Sequence, residues 1–285
     1  MRSMLACTDG SPHAKAALQY ARSWAERLGL HVKALFVEDL RLTRGPLVTG
    51  YYGPVGMAPT AAYPAFYDDL VKAVKEQGRR ALDDAHQVFQ GCPRPVEYIV
   101  REGLVHECIL QEAKTVDLLC LGRRGEHGQW GGDDLGTTTQ KVLHRMQGPV
   151  LTTPEEFHEL TKLLVAYDGS KPANLALRTA CTLASAARLP MAVVTVAPKG
   201  RETAAGEAAL AEARQLAAAY EDVPSEFVLL EGDETETLLT KHAAAARCDL
   251  IVMGAYGHSR LREWLLGSIT SAVLLRSSLP VLLVR

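Results

Sequence analysis

The chain has no C-x-x-C pair and no cysteine or histidine spacing suited to a metal. Its six cysteines, Cys7, Cys92, Cys108, Cys120, Cys181 and Cys248, occur singly. Cys7 and Cys120 lie in apolar, strand-like runs and are expected as small buried thiols in a reducing cytoplasm, with no metal site. An excess of charge is missing too. The formal net charge is -2 over 285 residues, which gives no reason to expect nucleic acid or an anionic membrane as a main partner. No apolar run approaches the roughly 20 residues needed to span a bilayer. MRSMLACTDGS at the N-terminus holds only a short apolar stretch before a polar turn, and reads as a first strand rather than a signal peptide. There is no G-x-x-x-x-G-K-[ST] loop, no G-x-S-x-G elbow and no H-E-x-x-H helix. The common phosphate-loop, serine-hydrolase and zinc-peptidase chemistries are therefore not signalled.

What is present is written twice. Hydrophobic residues make up 47% of the chain, as in a globular protein, and at roughly 150 residues per domain the length suggests two domains. MLACTDGSPHAKAAL (4–18) matches LLVAYDGSKPANLAL (163–177). HVKALFVED (31–39) matches PMAVVTVAP (190–198), and PVEYIVREG (95–103) matches SEFVLLEGD (225–233). DLLCLGRRG (117–125) matches DLIVMGAYG (249–257), and GPVLTTP (148–154) matches LPVLLVR (279–285). Such internal similarity marks a repeated unit. Each half reads as strands alternating with amphipathic helices. Leu18, Ala21, Trp24, Ala25 and Leu28 form one apolar stripe, closed by Gly29. Ser11 and Ser170 suit helix N-caps, and Pro12 suits the first helical position. The strands are continuous Val, Leu and Ile runs, as expected when helices cover both faces of a parallel sheet.

The expected fold is therefore α/β: two tandem doubly wound domains, each a five-stranded, mostly parallel sheet with helices on both faces. The domains are placed at 1–155 and 160–285, with a boundary at the polar PEEFHE segment. Asp9 to Pro95 spans 86 residues but Asp168 to Pro224 only 56. Most of the excess falls in a Gly-, Pro- and Tyr-rich insertion at about 41–69, expected as a long loop.

GAYGHSRLREWLLGS (254–268) carries the chemistry. In an open α/β sheet ligands sit beyond the carboxyl ends of the strands, and Gly254 ends one. Gly254 and Gly257 would frame a turn that lets a ligand approach closely. Gly267 and Ser268 would open the next helix, whose free amides and partial positive charge suit an anion, with Ser268 and Thr270 adding hydroxyls. In the first half Gly122 and Gly125 match. Gly136 follows ten residues later rather than nine, Thr137 stands for the serine, and Arg123 and Arg124 inside the turn suit phosphate. The intervening arm holds Asp133 and Asp134, which would repel a phosphate unless they turn away or share a cation. His127 and His258, just after each turn, are read as exposed loop residues.

With its G-x2-G-x9-G-[S/T] signature and an Asp at the end of strand one, the chain resembles a tandem universal stress protein over nearly its whole length. The resemblance implies an adenine nucleotide α-hydrolase-like fold and bound ATP, with Mg2+ carried by the phosphates. Asp168, Val196 and Met253 would then line the adenine and ribose side. Gly254, Gly257, Gly267, Ser268, Ile269 and Thr270 would hold phosphates. In the first half Asp9 and Val37 take the adenine side, and Gly122, Arg123, Gly125, Gly136, Thr137 and Thr138 the phosphates. It further implies that the two final strands pair, making an intrachain pseudo-dimer, with a homodimer of chains left open. No catalytic residue is assigned. The expectation is a cytoplasmic, ATP-binding regulatory protein of the stress-response type with slow or no turnover. A slow ATPase and a nucleotide-free assembly module stand as the alternatives.

Overall fold

The computed structural model describes residues 1–43, 63–125, 135–200, 203–255 and 267–285. The first half runs β1 (Ser3–Cys7), α1 (Pro12–Leu28), β2 (His31–Asp39), α2 (Leu40–Thr43), α3 (Tyr63–Val88), β3 (Val96–Gly103), α4 (Val105–Ala113), β4 (Leu118–Gly122), α5 (Thr137–Arg145) and β5 (Val150–Thr153). The second repeats it as β6 (Leu163–Ala166), α6 (Lys171–Ala187), β7 (Met191–Ala197), α7 (Thr203–Ala217), β8 (Ser225–Glu231), α8 (Thr235–Ala245), β9 (Leu250–Gly254), α9 (Ser268–Arg276) and β10 (Val281–Val284).

All ten strands join one sheet in the order β3-β2-β1-β4-β5-β10-β9-β6-β7-β8. Within each half every pairing is parallel, and the two halves meet where β5 runs antiparallel to β10, Leu151 opposite Leu282. The order reads as a mirror sequence about that seam, so an approximate twofold axis lies between β5 and β10. The expected pairing of the final strands is what the structure contains.

The strands form as expected of runs buried on both faces. Leu5, Leu119, Leu151, Leu164, Ile251 and Leu282 have no exposed surface, and the buried side chains divide into two clusters, one on each side of the sheet. Trp24, Leu18 and Ala21 of α1 press into the first cluster, and α1 ends at Gly29 in the left-handed region, φ +66°. Ser11 and Ser170 each accept an amide hydrogen three residues on, from Ala14 at 3.2 Å and Ala173 at 3.3 Å. Replacing either serine with alanine should cost about 1 kcal/mol, read as a lower midpoint in urea titration. An unchanged midpoint in both variants would remove the caps from the account.

One expectation is corrected. The insertion at 41–69 is not loop throughout. α2 takes Arg41–Thr43 at one end, and α3 begins at Tyr63 and reaches 26 residues, against 15 in its counterpart α7. Part of the extra length therefore lengthens a helix that packs on β2. Residues 44–62 lie outside the described residues.

Candidate functional site

β1 ends in Thr8 and Asp9, and the chain turns at once into α1. Gly10 takes φ +82°, which its lack of a Cβ permits. The Asp9 carboxylate accepts from the Ser11 amide at 3.0 Å, and Gln77 of α3 donates to the Asp9 carbonyl at 2.9 Å. The second half repeats the turn: Gly169 takes φ +76°, and Asp168 accepts from the Ser170 amide at 3.0 Å. The sequence D-G-S thus builds a compact aspartate turn beside a helix N-terminus in both halves.

A cavity of about 790 Å³ opens beyond the carboxyl ends of β1, β2 and β4. Asp9, Val37, Gly122, Gly125, Gly136, Thr137 and Thr138, singled out from the sequence, all line it. Its size falls in the range typical of small-molecule sites. One end is apolar, with Leu35, Phe36, Val37 and Ile109. The wall also takes in the start of α5 and continues along that helix to Gln140 and His144. Gly136 supplies no side-chain cap at the helix start, so the first-turn amides keep their capacity for an anion. The Gly136 amide itself bonds the Arg123 carbonyl at 2.9 Å, which brings the glycine turn and the helix start together.

Two turn glycines of the first half have close neighbours where a side chain would begin. A Cβ on Gly122 would lie 2.7 Å from the His13 Cβ and 2.9 Å from its backbone carbon. A Cβ on Gly125 would lie 2.6 Å from a carboxylate oxygen of Asp9. In the second half a Cβ on Gly254 would meet Pro172 at 2.8 Å. Gly122 and Gly254 are therefore required by the helices that start against the strand ends. Gly125, by contrast, faces Asp9 across the cavity mouth.

Arg123 is corrected outright. It points away from the cavity, is 7% exposed, and donates from both terminal nitrogens to the carbonyls of Ser277 and Leu279 in the other half. Burial lowers its pKa to about 10. Those carbonyls lie just past the end of α9, where a cation is favoured. Arg285 returns the arrangement from the second half, donating to the carbonyls of Leu143 at 2.7 Å and Met146 at 2.6 Å at the end of α5. The neighbour Arg124 lines the cavity instead.

Thr270 is corrected in role. It is 3% exposed, and its hydroxyl donates to the Gly254 and Ala255 carbonyls, each at 3.4 Å. Thr139 makes the same bond to the Gly122 carbonyl at 2.8 Å. These hydroxyls tie helix to strand end. Met253 is 5% exposed and packs in the core, with Val196 half-buried against the same cluster. Gly267 and Ser268 open α9 without a side-chain cap, as Gly136 and Thr137 open α5, and Ile269 lies 43% exposed beside them. Gly257, His127, His258, Asp133 and Asp134 lie outside the described residues.

Several cavity residues carried no motif. Asp39 and Arg41 pair across the end of β2, with Arg41 Nε donating at 3.0 Å. Burial alone would raise the Asp39 carboxyl, but the hydrogen bonds and charge of Arg41 outweigh it and hold the carboxyl below its ordinary value. Gln77 comes from α3, which none of the sequence matches between the halves covers. Thr139 could have been found by aligning it with Thr270. Ser271 and Leu275 reach the cavity from the second half. Among the described residues no group of three or more metal-ligating side chains occurs, and no helix is long and apolar enough to cross a membrane.

Comparison with known proteins gives a consistent picture. A model of the universal stress protein family matches twice, over residues 1–154 and 159–285. A universal stress protein of Synechocystis sp. is 30% identical over 291 residues, covering all of both chains. One from Mycolicibacterium smegmatis is 25% identical, over 99% of this chain and 96% of that one. The crystal structure of a universal stress protein from Archaeoglobus fulgidus superposes with a TM-score of 0.74 at 22% identity, covering 99% of this chain and 96% of that one.

Proposed function

Since the chain belongs to the universal stress protein family, with two such domains in tandem, we propose that it is a regulatory protein that binds adenine nucleotide. The ligand is ATP, with Mg2+ carried by the phosphates rather than by a protein cluster. The observation that carries this reading is the first-half cavity, where an apolar pocket, the Asp9 turn, the Gly122–Gly125 turn and the open start of α5 converge. Adenine fits the apolar end beside Val37, ribose the Asp9 side, and phosphates the amides of Thr137 and Thr138. Of the two arginines expected to suit phosphate, Arg124 takes that role. In the second half Asp168, Val196, Gly254, Gly257, Gly267, Ser268 and Ile269 form the corresponding site, with Met253 as its floor.

The imidazole among the described lining residues, His144, lies about 10.5 Å along α5 from Thr137, away from the helix start. Asp9 is held in its turn on the nucleoside side. The expected behaviour is therefore retention of nucleotide with slow or no turnover, in a cytoplasmic setting. A rate above roughly 1 s⁻¹, within the ordinary enzyme range, would replace this reading with an ATPase.

The test is to denature freshly purified protein and to identify and count the released nucleotide by chromatography and mass. ATP near two per chain is expected. ADP or AMP in its place would favour hydrolysis. No nucleotide, followed by no binding on addition, would leave a nucleotide-free assembly module.

A further inference from the structure

The cavity of the first half is not closed by the first half alone. Ser271 and Leu275, both on α9, form part of its wall. Their counterparts on α5 by the repeat are Gln140 and His144, and these line the same cavity. The cavity thus runs from the nucleoside end along α5 to the pseudo-twofold axis, where matching positions of the two halves face one space. Leu275 is 39% exposed there, a large apolar side chain without full cover.

The wall is held in place. Arg123 of the first half binds the carbonyls beyond the end of α9, and Arg285 of the second binds those ending α5. These charge-assisted bonds tie each helix to the opposite half within a few residues of Leu275 and His144. α9 therefore keeps its position relative to the first-half cavity.

We infer that the first-half site is composite: Ser271 and Leu275 of the second half complete the far end of the phosphate channel and set how long a phosphate chain it accepts. The inference rests on the nucleotide reading above. At 1.5 Å per residue, Gln140 lies about 4.5 Å along α5 from Thr137, and His144 about 10.5 Å. A phosphate bound at the α5 start stops short of the axis, whereas the outer phosphates of ATP extend toward it. Ser271 offers a hydroxyl to those outer phosphates, and Leu275 limits the space beyond them.

The test uses 8-azido-ATP and 8-azido-AMP, photocrosslinked at increasing concentration and mapped by peptide, so that labelling of the first half is read separately. Leu275→Trp, which fills the axis end, should weaken 8-azido-ATP labelling of the first half about tenfold and leave 8-azido-AMP nearly unchanged. Ser271→Ala should weaken 8-azido-ATP about fivefold, as expected for one lost hydrogen bond. Leu175→Trp, at an exposed position away from the cavity, should change neither probe. Equal loss of both probes, or no loss of either, with wild-type labelling intact would overturn the composite site and leave nucleotide binding standing. Absence of first-half labelling in the wild type would overturn the nucleotide reading and this inference together.

Discussion

Replacing Arg123 with alanine should destabilise the protein by roughly 2–4 kcal/mol. The guanidinium is 7% exposed and serves two backbone carbonyls, Ser277 and Leu279. Hydrogen bonds to a charged group contribute about 1.5–3 kcal/mol each in favourable cases, and a buried acceptor left without a donor costs about 1–3 kcal/mol. Against this stands the cost of burying the charge, visible in a pKa drawn down to about 10 and in an Nε without a partner among the described residues. The net loss is therefore well below the sum. At roughly 2–4 °C per kcal/mol for chains near this size, calorimetry should show a midpoint lowered by roughly 4–16 °C. Arg79→Ala, whose ion pairs are with Glu76 and Asp83 at the surface, should leave the midpoint nearly unchanged. If Arg123→Ala shifted the midpoint no more than Arg79→Ala, the seam between halves would owe nothing to this side chain.

The second large effect is expected from Gly125→Val. A Cβ there would sit 2.6 Å from the Asp9 carboxylate, which is the mobile end of a side chain rather than backbone. The carboxylate can swing aside, so the melting midpoint should change little. Nucleotide affinity at the first half should fall about 100-fold, because the displaced carboxylate and the new methyl groups both enter the cavity, and 100-fold corresponds to about 2.8 kcal/mol. The contrast with Gly122 matters. A side chain at Gly122 strikes the backbone of α1, so its loss of binding would be confounded with damage to the fold. Titration calorimetry on Gly125→Val decides the point. An affinity within threefold of wild type would place the nucleoside away from Asp9.

The repeat made most of the architecture legible. Two copies of a strand–helix pattern, with V/L/I runs too continuous for a half-exposed sheet, point to parallel strands covered on both faces, and D-G-S marks the first turn in each copy. Periodicity could not show which of the two adjacent arginines faces the cavity. Arg123 and Arg124 are equivalent as sequence; the strand's alternation and the carbonyls of Ser277 and Leu279, over 150 residues away, separate them. Distance in sequence also hid Ser271 and Leu275, since a motif records neighbours along the chain and not across a seam. The helical ends of the insertion were missed because Pro and Gly in its middle coloured the whole stretch as loop. The pressure of Pro172 on Gly254 was hidden as well, because a turn glycine looks the same from sequence whichever neighbour it must avoid.

The seam itself is symmetrical in backbone, with β5 against β10, but its fastenings are not. Arg123 is matched in the repeat by Ala255, and Arg285 by Pro154. If two identical chains met at such a seam, every residue would be present on both sides, and any substitution would fall twice. Joined in one chain, each side accepts change singly. A residue can be added where only one half has room for it, and one half's cleft can drift while the other stays constrained. The covalent link therefore permits a division of labour between two copies of one fold, in which a single base change alters one binding event and leaves its twin as it was.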